Sequence, residues 1–269
     1  MMRVHPIGAT LALALCAWPS LGQAPVPGRN SPEVRGKAQA VYFFPGARSM
    51  QPDSKPIVFY ACGDGGWRGM AITMAETMAS WGYDTFGLDS KVYLESFTGK
   101  TTLKESEVNS DFRALMRWAR GESPRPVVLV GWSEGAGLAL LGAAGPANRD
   151  LLQGFVAIGL PERNLLAWHW YDATTWITRK DPNEPAFASG PYVPQIAPVP
   201  LLMLNSSQDD FQSQDTYQKL SQLAGGPKKT VTVEARNHRF DGNHAAFFNA
   251  LRDGLHWIEQ TAGARTAHP

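Results

Sequence analysis

The chain is poor in cysteine, and this sets its first limits. Of 269 residues only Cys16 and Cys62 are cysteines. Cys16 lies in an N-terminal segment patterned like a removable signal, which leaves Cys62 alone in the mature chain. A lone thiol makes neither an intramolecular disulfide nor a structural zinc site. An excess of either charge is lacking too. The formal net charge is +1 and no Lys/Arg cluster reaches nucleic-acid density, so a nucleic-acid partner is not indicated. There are no internal repeats. The apolar run at 7–18 is too short to span a bilayer.

That run instead reads as the core of a signal peptide. Arg3 supplies the positive end, and Gly22-Gln23-Ala24 offers a small-x-Ala cleavage site, with Ser20-Leu21-Gly22 competing. Leu15 is a poor neighbour for a lipidated Cys16. The expected organisation is a signal at 1–24, a linker at 25–39, one domain at 40–262 and a tail at 263–269. The expected location is the periplasm, with secretion as the alternative.

What is present is a strand, a tight turn and a helix. The apolar run Val127-Val128-Leu129-Val130 leads into Gly131-Trp132-Ser133-Glu134-Gly135, and a small-residue helical pattern follows. In that context Gly-x-Ser-x-Gly marks a nucleophile elbow, with Ser133 as nucleophile. The bland alternative is a strand-to-helix turn in which Ser133 caps the helix. Further strands are expected at 40–44, 57–61, 83–88, 154–158, 201–204 and 230–235. Helices are expected at 70–81, 103–120, 213–223 and 245–260. This alternation predicts an α/β fold with a mostly parallel, doubly wound sheet. Residues 160–199 interrupt it, as an aromatic-rich cap or lid insertion with six prolines.

A serine nucleophile needs a base and an acid, which on such a sheet follow it in the order acid, then histidine. The stretch 201–210 is a buried strand, a polar turn and two carboxylates. Asp209 has the usual spacing, and Asp210 is the alternative. Of six histidines, His238 falls in the loop after the last strand, while His244 begins the closing helix. Loop placement favours His238 as base, with Asp209 holding its tautomer. The oxyanion hole requires two backbone N–H groups. One is expected from Glu134 and the other from Asp64 or Gly65, in Cys62-Gly63-Asp64-Gly65-Gly66-Trp67 after the second strand. That loop lacks the lysine and Ser/Thr of a phosphate-binding loop. No metal or cofactor is required.

Three motifs together resemble the bacterial virulence protein VirJ/AcvB family: Gly63-Asp64-Gly65-Gly66-Trp67, Gly131-Trp132-Ser133-Glu134-Gly135-Ala136 and His238-Arg239-Phe240-Asp241-Gly242. The resemblance runs from Ile57 to the closing helix. It implies a periplasmic α/β-hydrolase associated with hydrolysis of aminoacylated phosphatidylglycerol, notably lysyl-phosphatidylglycerol, and with type IV secretion. By motif, Ser133 and His238 carry over as nucleophile and base, and Asp209 as acid by its place after the strand. The chain departs from the family pattern at Glu134 and at Gly137, where members commonly carry an aromatic or Gln and an acidic residue.

Trp67, Trp132, Trp168 and Trp170 are the candidate substrate-binding aromatics. Those of the cap either line an acyl pocket, touch a membrane surface, or pack the segment onto the sheet. The expected function is an exported serine esterase acting on a small-molecule or lipid ester. The alternative is a periplasmic accessory protein that retains the fold and contacts secretion-system proteins.

Overall fold

The structure, a computed structural model, describes residues 23–47, 55–99, 102–178, 180 and 182–267. The expected signal peptide lies outside the described residues but for its last two. Among the described residues no helix is long and apolar enough to cross a membrane.

Strands of continuous apolar sequence suit a sheet covered on both faces, and the chain uses them in that way. The sheet has eight strands: β1 (Gly28–Asn30), β4 (Val41–Phe44), β5 (Ile57–Ala61), β6 (Thr85–Leu88), β7 (Val127–Trp132), β8 (Leu152–Ile158), β11 (Leu201–Ser206) and β12 (Lys228–Val233). Their order is β1-β4-β6-β5-β7-β8-β11-β12. The pairs β1–β4 and β4–β6 are antiparallel and the others parallel. Alternate residues feed two cores. Ile57, Phe59, Val127, Leu129, Leu201 and Met203 join one, while Val58, Tyr60, Val128, Val130, Leu202 and Leu204 join the other.

The second core is closed by α1 (Met70–Ser80) and α7 (His244–Ala267). The first is closed by α2 (Ser90–Phe97), α3 (Glu105–Arg120), α4 (Glu134–Ala144) and α6 (Gln214–Leu223). Helix α3 opens with Glu107 Oε2 accepting the Lys104 N–H at 2.8 Å and closes on Gly121 at φ 54°. Every residue of α4 is buried, which accounts for its small-residue composition.

The structure corrects four expectations. The linker at 25–39 is built into the fold: besides β1, it forms the hairpin β2 (Glu33–Val34) and β3 (Lys37–Ala38). Arg35 at the hairpin turn donates to Asp111 at 2.9 and 2.7 Å, and Tyr93 Oη donates to the same carboxylate at 2.7 Å. Helix α2, absent from the sequence reading, starts where Asp89 accepts the Val92 N–H; its three apolar anchors, Tyr93, Leu94 and Phe97, make too short a pattern to read. The last strand begins two residues before the expected position, in register with β11 from Leu201↔Lys228. The closing helix runs through most of the expected tail.

The cap is mixed. It contains the hairpin β9 (Arg163–Leu165) and β10 (Ala186–Ala188), short 3-10 turns and the one-turn helix α5 (Thr175–Thr178).

Candidate active site

Strand β7 ends at Trp132 and α4 begins at Glu134, so the turn between them is Ser133 alone. Its φ of 56° is in the left-handed region, which costs a residue with a β-carbon on the order of 1 kcal/mol or more. The turn is held on both sides: the Ser133 N–H donates to Ile158 O at 2.9 Å, and Ser133 O accepts the Ala136 N–H at 2.7 Å. The flanking positions have no room for side chains. A β-carbon on Gly131 would lie 2.5 Å from Ala136 Cα, and one on Gly135 would strike the backbone oxygens of Ala61 and Cys62.

His238 occupies the loop after β12. Asn237 Oδ1 accepts the N–H groups of Arg239 and Asp241, and Phe240 sits at φ 60°, so the loop braces itself. The imidazole is buried, with Trp132 stacked at 6.3 Å and Phe211 edge-on at 5.3 Å. It fills the space over Gly159, where a β-carbon would come within 2.5 Å of Cε1.

Asp209 Oδ2 lies 2.6 Å from His238 Nδ1. Its Oδ1 accepts the N–H groups of Phe211 at 2.9 Å and Gln212 at 3.2 Å. Asp210 has a different partner: its Oδ1 accepts the backbone N–H of His238 at 3.1 Å. With the proton on Nδ1 facing Asp209, Nε2 is the acceptor nitrogen. It is buried without a hydrogen-bond partner among the described residues. His244 is half exposed and pairs with Asp241 at 3.4 Å.

Ser133 and His238 line one cavity of about 440 Å³, together with Gly63, Asp64, Gly65, Trp132 and Glu134 from the expected site. Cap residues Arg163, Leu165, Trp168, Trp176 and Lys180 form its other wall. Of the candidate aromatics, Trp132 and Trp168 line the cavity and two do not. Trp67 stacks on Tyr42 at 4.7 Å and lies over Gly87 of the sheet. Trp170 is 81% exposed on the outside of the cap. Sequence reading missed Arg68, Gly159, Phe211 and Arg239, which also line the cavity; Trp176, one of the cap aromatics, lines it with them. Gly159 carried a signal, since it directly follows a buried strand at the end where ligands collect.

Asp64 is half-buried and accepts Trp176 Nε1–H at 2.9 Å, which ties the glycine-rich loop to the cap. Burial raises its carboxyl above the ordinary 3.8. The Trp176 hydrogen bond, the charge of His238 and the backbone N–H groups of Gly65 and Asp64 oppose that rise.

Both family departures have structural roles. The Glu134 carboxylate is buried and accepts the Leu165 N–H, so it anchors β9. Gly137 lies beneath the cap, where a β-carbon would overlap the Asn164 side chain. Asn164 in turn donates to Ser189 Oγ at 2.8 Å across the cap hairpin.

Solved structures share this architecture. Est1E from Butyrivibrio proteoclasticus is 14% identical, with a TM-score of 0.63 over 86% of this chain and 98% of that one. A dienelactone hydrolase described as putative, from Klebsiella pneumoniae, is 18% identical, with a TM-score of 0.64 over 87% and 98%. The α/β hydrolase GrgF from Penicillium sp. sh18 is 12% identical, with a TM-score of 0.64 over 87% and 99%. At these identities the likeness establishes the fold, an α/β-hydrolase. No curated protein sequence matches the chain. Residues 55–258 match the family described as bacterial virulence protein (VirJ). The glycine-rich loop, the serine elbow, the acid and the histidine loop all fall inside that span, and the chain belongs to the VirJ family.

Proposed function

We propose that the protein is a serine esterase in which Ser133, His238 and Asp209 act as a triad. The observation that carries this reading is the 2.6 Å contact of Asp209 with His238 Nδ1, which leaves a buried, unpartnered Nε2 on the cavity that Ser133 also lines. Ser133 Oγ attacks the ester carbonyl, and its proton passes to His238 Nε2. Asp209 stabilises the imidazolium. The oxyanion is held by the N–H of Glu134 and by that of Asp64 or Gly65. His238 then returns the proton to the departing alcohol, leaving an acyl-serine. Water, deprotonated by His238, releases the acid.

The favoured substrate is an aminoacyl ester on a phosphatidylglycerol headgroup, such as the lysyl ester, in an exported, periplasmic setting. Family membership supports this, and so does the cavity's charge. Asp64 offers a carboxylate to an ammonium group, while Arg68, Arg163, Lys180 and Arg239 offer cations to a phosphate.

A fluorophosphonate probe tests the chemistry. The protein should label, and Ser133→Ala should abolish both labelling and p-nitrophenyl ester hydrolysis, a loss of about 10³-fold or more. Labelling that survives Ser133→Ala would sink the triad. For the substrate, release of lysine from lysyl-phosphatidylglycerol by the purified enzyme is the direct measure; an inert lipid beside an active p-nitrophenyl ester would reject the lipid assignment alone.

A further inference from the structure

Among the described residues six large apolar side chains are exposed, and their distribution is uneven. Trp170 (81% exposed), Tyr171 (47%) and Ile177 (87%) fall within one short stretch of the cap, and Phe211 (50%) sits on the rim of the cavity. Soluble surfaces seldom gather such residues without a use for them. Ile177 directly follows Trp176, which lines the cavity. Tyr171 is fixed from behind by stacking on His169 at 4.8 Å, and Trp170 leans edge-on against Tyr171. His169 is itself held by Glu184 at 2.7 Å. The rings are thus mounted on a braced turn.

The surrounding charge identifies what they meet. Arg68, Arg163, Lys180 and Arg239 at the cavity outnumber its two carboxylates, Asp64 and Glu134. Exposed Trp and Tyr beside basic side chains match the interface of an anionic bilayer, where rings sit at headgroup depth and cations meet lipid phosphates.

We infer that the cap is a membrane-docking face: Trp170, Tyr171 and Ile177 insert shallowly into an anionic bilayer and bring the cavity mouth down onto the lipid headgroups. The inference deepens the lipid-ester reading of the same site. Docking precedes chemistry, so the two are separable. It also supplies an order of events: lateral diffusion of lipid into the cavity replaces extraction of lipid through water.

Sedimentation with vesicles tests it, using the Ser133→Ala protein so that no lipid is consumed. Binding is expected to vesicles of mixed phosphatidylglycerol and phosphatidylcholine, to fall as salt rises, and to be far weaker on pure phosphatidylcholine. Trp170→Ser with Ile177→Ser should weaken binding by about tenfold or more. Neither residue lines the cavity, so in the Ser133 background this pair should hydrolyse soluble p-nitrophenyl butyrate at the unaltered rate. Unchanged binding by the pair, no binding to the anionic vesicles, or equal binding to both lipids would overturn the inference. So would concentration-dependent self-association that the pair abolishes, which would assign the patch to a second copy of the chain. Loss of ester hydrolysis with vesicle binding retained would instead reject the esterase reading and leave docking in place.

Discussion

Asp209 and His238 meet at 2.6 Å although they come from loops following two neighbouring strands, β11 and β12. The adjacent Asp210 holds the same histidine by its backbone N–H. Two carboxylates that the sequence cannot separate thus serve different atoms of one residue. Asp209→Asn is expected to lower kcat by about 10³–10⁴-fold, through loss of the tautomer and of imidazolium stabilisation. Asp210→Asn keeps an acceptor for the N–H and should cost no more than about tenfold. Steady-state rates on p-nitrophenyl butyrate check both, and equal losses would refute the division of roles.

Asp64 links pH to stability. Its carboxyl is raised above 3.8 in the folded state, chiefly by burial, so the ionised form opposes folding at neutral pH. That cost disappears as pH falls through the raised value, and wild-type stability gains accordingly. Asn at this position does not titrate and still accepts from Trp176. The melting temperature of Asp64→Asn minus that of wild type should therefore be larger at about pH 7 than at about pH 4. Thermal melts of both proteins decide this, and an opposite slope would contradict the assignment.

Gly137 and Asn164 share one volume. Gly137→Ala should destabilise by about 1–3 kcal/mol through overpacking. Adding Asn164→Ala should recover part of that loss, although it removes the bond to Ser189. Urea unfolding of the two singles and the double measures the coupling, and strict additivity would argue against it.

The ion pair of Arg35 with Asp111 fastens the N-terminal hairpin to α3. Asp111 is buried and also receives the Tyr93 hydroxyl. Asp111→Ala strands both donors and should cost about 2–4 kcal/mol. Calorimetry, with early proteolysis near residues 23–38, is the check; a loss below about 0.5 kcal/mol would mean that the hairpin is not structurally coupled.

Much of the sheet was legible because its strands are short apolar runs bounded by glycine and proline, and because the serine lies between such a run and a helix. Residues 25–39 were not, since β1 and the hairpin gain their stability from distant partners such as Asp111, Val41 and Phe43, which local pattern does not reveal. Asp209 and Asp210 differ only in where the β12 loop arrives. Trp67, with three glycines before it, looks like a ligand-facing ring, yet it is drawn onto the sheet by Tyr42 and by the absent side chain of Gly87. The cavity-lining Arg68, Phe211 and Arg239 come from separate loops with no shared spacing.

Glu134 belongs to two structures at once. Its backbone follows the serine, and its side chain grips the cap strand. The cap wall of the cavity and the cradle proposed for the oxyanion are therefore joined here, as they are again where Trp176 donates to Asp64. Cap substitutions that displace Leu165 will register as changes in turnover as well as in affinity. New specificities in this chain must accordingly be built at lining positions that hold neither tie, such as Lys180, where the cradle is left undisturbed.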